Sequence, residues 1–105
     1  MINNLKQDHC VHMEFLGVDN RKRLTGTHET SSFNELTYGI GDRSKSLRIA
    51  TTLYRDNNTY TSKRKPAGYI EDRRPSANMD PYVVCSVIAQ SAFAPALPHL
   101  TQDLK

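Results

Sequence analysis

The clearest element in this sequence is a helix near its C-terminal end, the most apolar part of a chain poorly supplied with core. Asp80-Pro81 reads as an N-cap followed by a first-turn proline. Val84, Ile88 and Phe93, with Val83, Cys85 and Val87, then form a broad apolar surface. The pattern predicts a helix over about Pro81 to Phe93, stopped by Pro95 and Pro98. Residues 95–105 are expected to form a frayed tail. Only 37% of the 105 residues are hydrophobic and 24% are charged, with a mean hydropathy of −0.62. A domain of this length buries only about two thirds of its unfolded surface. One small domain with a thin core follows.

The other elements are weaker. Leu5, His9, His12 and Leu16 recur at helical spacing with Met13 beside them, so a helix is expected from about Ile2 to Phe15. Asn3 or Asn4 is a candidate cap, and Gly17 with Asp19-Asn20 marks a stop and turn. From Arg21 to Gly41 the pattern is irregular. Thr25 to Ser32 is too polar for a core strand and reads as an ordered loop. Phe33, Leu36, Tyr38 and Ile40 are candidate anchors through a short helical turn. Ser44 to Leu53 reads as a strand with Leu47 and Ile49 on one face and Ser44, Ser46 and Arg48 on the other. Residues 54–66 are expected to be a long surface loop. Gly68 to Arg74 is a second strand candidate ended by Pro75. Tyr69, Glu71 and Arg73 share one face of it, and Ile70, Asp72 and Arg74 the other. There are no repeats and no low-complexity tract. The fold class expected is α+β: a few antiparallel strands flanked by a helix at each end.

Net charge is +3. The 14 basic and 11 acidic residues are mostly interleaved, apart from Lys63-Arg64-Lys65. A nucleic-acid binder gathers its cations on one face, so neither nucleic acid nor a membrane is expected as a partner. Cys10 and Cys85 match no metal spacing. Both are expected to be buried or half-buried free thiols of a reducing compartment. No apolar run approaches the roughly 18 residues needed to span a bilayer. The N-terminus lacks a secretion-type apolar region. The expected location is cytoplasmic.

The chemistry lies in polar residues on strand-like segments. Arg23, Arg43, Arg48 and Arg73 are guanidinium groups outside any amphipathic surface, and such forks suit carboxylates and phosphates. Glu71 shares a face with Arg73. That pair is either a structural ion pair or part of a metal-and-phosphate site. Glu29, in the polar loop, is either an exposed carboxylate or a catalytic group on a mobile lid. Its neighbour His28 reads as a packing or hydrogen-bonding residue rather than a ligand.

Four segments resemble one family. Arg23-Leu24-Thr25-Gly26-Thr27-His28-Glu29-Thr30 resembles the "RLTGxHET" segment of eukaryotic-type glutamine synthetases. The stretch from Gly41 to Ile49 is similar to that family's "ANRxAS[IV]RI". Gly68 to Pro75 resembles "GYxEDRRP", and Ser76 to Tyr82 continues as "[AS][SA]NxDPY". His9, His12, Gly17 and Asn20 fit the helix and turn that precede the first motif. Order and most spacings agree from about Leu5 to about Ala92, and four motifs in order are far more specific than one.

The resemblance implies part of the catalytic domain of an enzyme that makes L-glutamine from L-glutamate, ammonia and ATP through γ-glutamyl phosphate. It implies Mg²⁺ or Mn²⁺ as cofactor, ATP as co-substrate and a ring-shaped homo-oligomer. Carried over residue by residue, Glu71 would hold metal. Arg23 and Arg73 would hold glutamate, with Arg73 also at the transferred phosphoryl group. Arg43 and Arg48 would contact ATP phosphates, Arg43 also in a catalytic role, and Tyr69 would lie at the nucleotide. Glu29 would close the site and help form the ammonium pocket.

The chain also departs from the pattern. Family members are several times longer, with a small β-grasp domain and further metal-binding glutamates and a histidine that are absent here. His9, His12 and His28 align elsewhere and do not replace that histidine. Asp42 stands where the family has Asn, beside Arg43, whose charge it would partly neutralise. Lys45 replaces Ala on the Leu47 side of its strand, where it could snorkel. The stretch from Ile49 to Gly68 is longer than usual. The expectation is therefore a family segment, residues 1–105, that does not turn over alone and is marginally folded, its strand edges lacking neighbours. The alternatives are a non-catalytic remnant that binds phosphate or partner subunits, supported by Met1, Asp42 and Lys45, and a small nucleic-acid binder resting on Lys63 to Lys65.

Overall fold

The computed structural model describes residues 1–51 and 68–94. The expected loop at 54–66, with Lys63 to Lys65, and the expected tail at 95–105 lie outside them. The first helix comes in two pieces, α1 (Ile2–Gln7) and α2 (His9–His12). They are joined at Asp8, whose N–H still reaches the Asn4 carbonyl at 3.1 Å. The chain then tightens, with Phe15 N–H donating to the His12 carbonyl at 2.8 Å, an i→i−3 bond of the 3₁₀ kind. Leu5, His9, His12 and Leu16 are all buried, as their spacing predicted. Neither Asn3 nor Asn4 caps the start. The cap position is Met1, which has no side-chain oxygen to offer.

A third helical turn, α3 (Asn20–Arg23), went unforeseen. It is a single turn without apolar periodicity. Three strands follow in the order β1 (Tyr38–Ile40), β2 (Leu47–Ile49) and β3 (Ile70–Asp72). β2 and β3 pair antiparallel, with Arg48 opposite Glu71 and Leu47 opposite Asp72. β1 and β2 pair parallel, so the sheet is mixed rather than wholly antiparallel. Parallel pairs usually need a long crossover. Here each strand is so short that the return is only about 7 Å, and residues 41–46 span it. β1 also replaces the expected helical turn. Its Tyr38 and Ile40 are about half exposed, so only Phe33 and Leu36 act as anchors in that stretch.

The C-terminal helix, α4, runs Pro81–Ala92. Asp80 caps it, accepting from Tyr82 N–H at 3.0 Å and Val83 N–H at 3.4 Å. Its inner face is narrower than the sequence suggested. Val84 and Ser91 are buried and Val87 and Ile88 partly so, whereas Val83, Cys85 and Phe93 are exposed. Cys10 and Cys85 are exposed free thiols, contrary to expectation. Each sits one residue from a buried neighbour, His9 or Val84, and a step of one residue turns a helix by about 100°. Two apolar clusters form the core. Met13, Leu16, Leu24 and Val84 make one, and Leu5, Leu36 and Leu47 the other, with Ile88 packed against both. The architecture is α+β with a helix at each end of a small sheet.

Candidate functional site

β3 carries a carboxylate on each of its two faces, Glu71 on one and Asp72 on the other. On the outer face Glu71 meets two guanidinium groups. Its Oε2 accepts from Arg48 Nε at 2.6 Å and pairs with Arg48 Nη2 at 2.5 Å. Its Oε1 accepts from Arg73 Nη1 at 2.8 Å. Period-2 alternation puts Glu71 and Arg73 on one side, and cross-strand register brings Arg48 opposite. Hydrogen bonding from Arg48 holds the Glu71 carboxyl below its usual range, with Arg73 adding to the effect. Glu71 in turn keeps the Arg48 guanidinium charged, and Tyr69 acts in the same sense. Tyr69 itself is largely exposed just before β3.

Arg23 approaches the same region from α3. Its Nη2 faces the carbonyls of Arg73, Arg74 and Pro75 at 3.2, 2.6 and 3.2 Å. Its Nε donates to Asn20 Oδ1 at 3.0 Å. Partial burial, then the nearby Arg73 charge, push the Arg23 pKa down. Two cations held this close repel, and an anion between them relieves the repulsion.

Arg23 and Arg73 line one crevice together with Glu29, Lys45, Ser31 and Ser46. Glu29 reaches it from the tip of a pinned loop. Thr25 and Ser32 form an antiparallel bridge at the base. Thr30 N–H donates to the Thr27 carbonyl at 3.1 Å across the turn. The central residues, His28 and Glu29, have φ of 55° and 60°. Left-handed backbone at a residue with a Cβ costs about 1–2 kcal/mol, so this tip is strained. Lys45, expected beside Leu47 and Ile49, instead joins the crevice as a third cation.

Arg43 is exposed in the β1–β2 turn and joins neither group among the described residues. Asp42 does not turn to Arg43. Its Oδ1 accepts from Ser44 N–H at 2.9 Å and Ser44 Oγ–H at 2.6 Å. The Ser44 hydroxyl, then its N–H, hold the Asp42 carboxyl below the usual range. The residue thus builds a turn, a role that Asn also plays.

The sequence singled out neither Asp72 nor Arg74 for a role, yet they organise the interior. Arg74 is only 1% exposed. It forks onto Asp72, with Nη2 at 2.7 Å from Oδ2 and Nε at 3.0 Å from Oδ1. It also donates to His9 and His12. The signal that could have found it is the placement of two charges among apolar neighbours on the inner face of a strand. Such charges must be paired.

A divalent cation at Glu71 finds little support from this chain alone. Both Glu71 oxygens already face arginines. Among the described residues no three His, Cys, Asp or Glu side chains converge as metal ligands. His9 and His12 are committed to Arg74. The side chains present do not by themselves build a metal centre.

The putative glutamine synthetase of Acanthamoeba polyphaga mimivirus is 46% identical over 90 residues, 86% of this chain and 23% of that protein. The glutamine synthetase cytosolic isozyme 1-5 of Arabidopsis thaliana is 42% identical over 92 residues, 88% of this chain and 24% of that protein. The chloroplastic glutamine synthetase of Brassica napus is 41% identical over 90 residues, 86% of this chain and 19% of that protein. No protein-family model matches the chain. Among the described residues no helix is long and apolar enough to cross a membrane, and the relatives include cytosolic and chloroplastic forms. The chain spans about a fifth to a quarter of the length of these relatives. Similarity at 41–46% identity along 86–88% of its own length makes it a member of the eukaryotic-type glutamine synthetase family.

Proposed function

We propose that this chain supplies the arginine-rich, flap-bearing part of a glutamine synthetase active site, which ligates ammonia to L-glutamate with ATP. The observation that carries the reading is the crevice shared by Arg23, Arg73 and Glu29. Two mutually repelling guanidinium groups suit the carboxylates of L-glutamate. In the reaction a γ-carboxylate oxygen attacks the γ-phosphorus of ATP and ADP departs. Ammonia then attacks the acyl carbon, phosphate leaves and the nitrogen loses a proton. Arg73, which lines the crevice and pairs with Glu71, is assigned to neutralise charge on the transferred phosphoryl group. Glu29 closes the crevice and offers a carboxylate to ammonium, and closure protects the acyl phosphate from water.

Arg48 and Arg43 are assigned to the ATP phosphates and Tyr69 to the nucleotide. The run of Arg73, Glu71, Arg48 and Tyr69 along one face supports a path from glutamate to nucleotide. Glu71 is assigned as one oxygen ligand of Mg²⁺ or Mn²⁺, the other ligands coming from outside these residues. A ring-shaped homo-oligomer in the cytoplasm completes the proposal. The 105 residues by themselves are proposed not to turn over, because among the described residues Glu71 alone is assigned to the metal position.

The test replaces the matching stretch of the Arabidopsis cytosolic isozyme with this chain. The chimera should form glutamine, and Arg73→Met in it should lower kcat/KM by roughly 10²–10³. The 105-residue chain assayed for γ-glutamyl transfer with Mn²⁺ should be silent. A chimera unaffected by Arg73→Met would sink the proposed role of the crevice. A second reading, a non-catalytic chain that binds phosphate or partner subunits, draws on the engagement of both Glu71 oxygens by arginine. A chimera that assembles without turnover would favour it.

A further inference from the structure

His9 and His12 take no part in the chemistry proposed above, yet both are buried against one guanidinium. Arg74 Nη1 donates to His9 Nδ1 at 3.1 Å, and Arg74 Nη2 to His12 Nδ1 at 3.3 Å. A guanidinium has no lone pair to offer, so both Nδ1 atoms must be bare acceptors. Each ring proton therefore sits on Nε2. There His9 donates to the Phe33 carbonyl at 2.9 Å, and His12 to Ser91 Oγ at 2.7 Å. Ser91 Oγ–H in turn donates to Asp8 Oδ2 at 2.5 Å. Every donor has an acceptor only while both rings are neutral.

The Arg74 backbone carries this arrangement to the crevice. Its carbonyl accepts from Arg23 Nη2 at 2.6 Å and from Asn20 Nδ2 at 2.5 Å. Asn20 Oδ1 receives Arg23 Nε in turn. We propose that His9 and His12 are positioning residues: held neutral, they seat Arg74, and Arg74 seats the Arg23 guanidinium, so that protonating the two rings loosens Arg23.

The charged groups that face the pair are Arg74 and Asp72 from the end of β3, and Asp8 from the α1–α2 junction. α4 contributes only the Ser91 hydroxyl. A proton on either Nδ1 would oppose two donors and two positive charges at about 3 Å, which only separation relieves. Burial, the largest cause, holds both imidazoles below their usual pKa, and Arg74 acts in the same direction. At His9 the Phe33 carbonyl and Asp72 oppose this, and at His12 Asp8 and Asp72 oppose it.

The consequence for glutamate rests on the function proposed above, whereas the clasp itself does not. The test is a nitrogen NMR titration of the ¹⁵N-labelled 105-residue chain from pH 7.5 downward, with calorimetry of L-glutamate binding to the chimera described above alongside. Both rings should carry their proton on Nε2 at pH 7.5 and titrate with midpoints below about 6.5. The Arg23 Nε–H signal should move with the same midpoints, and L-glutamate affinity should fall about ten-fold across that interval. In the double variant His9→Asn, His12→Asn the Arg23 signal should lose this dependence. Protons on Nδ1 at pH 7.5, midpoints at or above about 6.5, or an Arg23 signal that ignores the histidine titration each overturn the proposal. If the rings titrate as expected but L-glutamate does not bind at pH 7.5, the clasp stands and the assigned substrate falls.

Discussion

Single residues in this chain are constrained by partners tens of residues away in sequence but only ångströms off in space. Gly17 has φ of +120°, and a Cβ there would collide with Ser76 Oγ at 1.7 Å and Asn78 Oδ1 at 2.7 Å. Ser76 and Asn78 cannot retreat freely. Ser76 N–H donates to the Leu16 carbonyl at 2.9 Å, Ser76 Oγ–H donates to Asn78 Oδ1, and Asn78 Nδ2 donates to the Val18 carbonyl at 3.2 Å. Gly17→Ala should therefore destabilise by more than the roughly 1 kcal/mol of a positive-φ glycine alone. The urea midpoint measures this, and an unchanged midpoint would refute the collision. The stop at Gly17 was legible from the sequence. The partner that makes alanine intolerable there, some 60 residues on, was not.

At the scale of elements, the loop from Thr25 to Ser32 shows where local rules stop. Its polar character predicted an ordered loop, and hydroxyl bonds such as Thr30 Oγ1–H to the Thr27 carbonyl at 2.6 Å order it. Nothing local predicted the turn. Positive φ at both central positions is ordinarily signalled by Asn-Gly or Asp-Gly, and here His28 and Glu29 hold them. His28→Gly should relieve that strain. Such a variant should match or exceed the parent by up to about 1 kcal/mol in chemical denaturation. A clear loss of stability would show that stabilising contacts of the His28 side chain outweigh the backbone strain. α4 is the opposite case. Asp80, Pro81 and the later prolines announced its limits, and the observed helix ends within one residue of the expectation.

At the scale of the whole molecule, two small apolar clusters and one buried ion pair hold the described residues together. The pH dependence follows from the buried histidines. Their pKa values are lowered on folding, so the unfolded chain takes up protons first as pH falls. Stability from this source is complete above about pH 6.5 and drains away below it. Glu71, also depressed, contributes in a separate window, lost only as pH falls below about 4.3. Thermal unfolding followed from pH 8 to pH 5 should thus show its decline beginning near pH 6.5, and a flat profile to pH 5 would count against neutral burial. With so thin a core and β1 exposed at a sheet edge, the isolated chain should also melt broadly. A sharp cooperative melt of a monodisperse monomer would contradict this.

Local features were legible from residue order alone: the capped C-terminal helix, the helical spacing of Leu5, His9, His12 and Leu16, and the alternation that puts Glu71 and Arg73 together. The sequence also carried the four ordered motifs, because those depend only on order and spacing. Tertiary structure alone decided which charges meet. Alternation assigned Arg74 to a face but not to burial, and it assigned the two histidines to a helix but not to one guanidinium. It left Lys45 beside Leu47 rather than in the crevice with Arg23. Periodicity specifies the direction of a side chain relative to its own element, whereas partners are set by how elements stack. A buried charge is tolerated only where that stacking brings counter-charges and acceptors to it from distant parts of the chain.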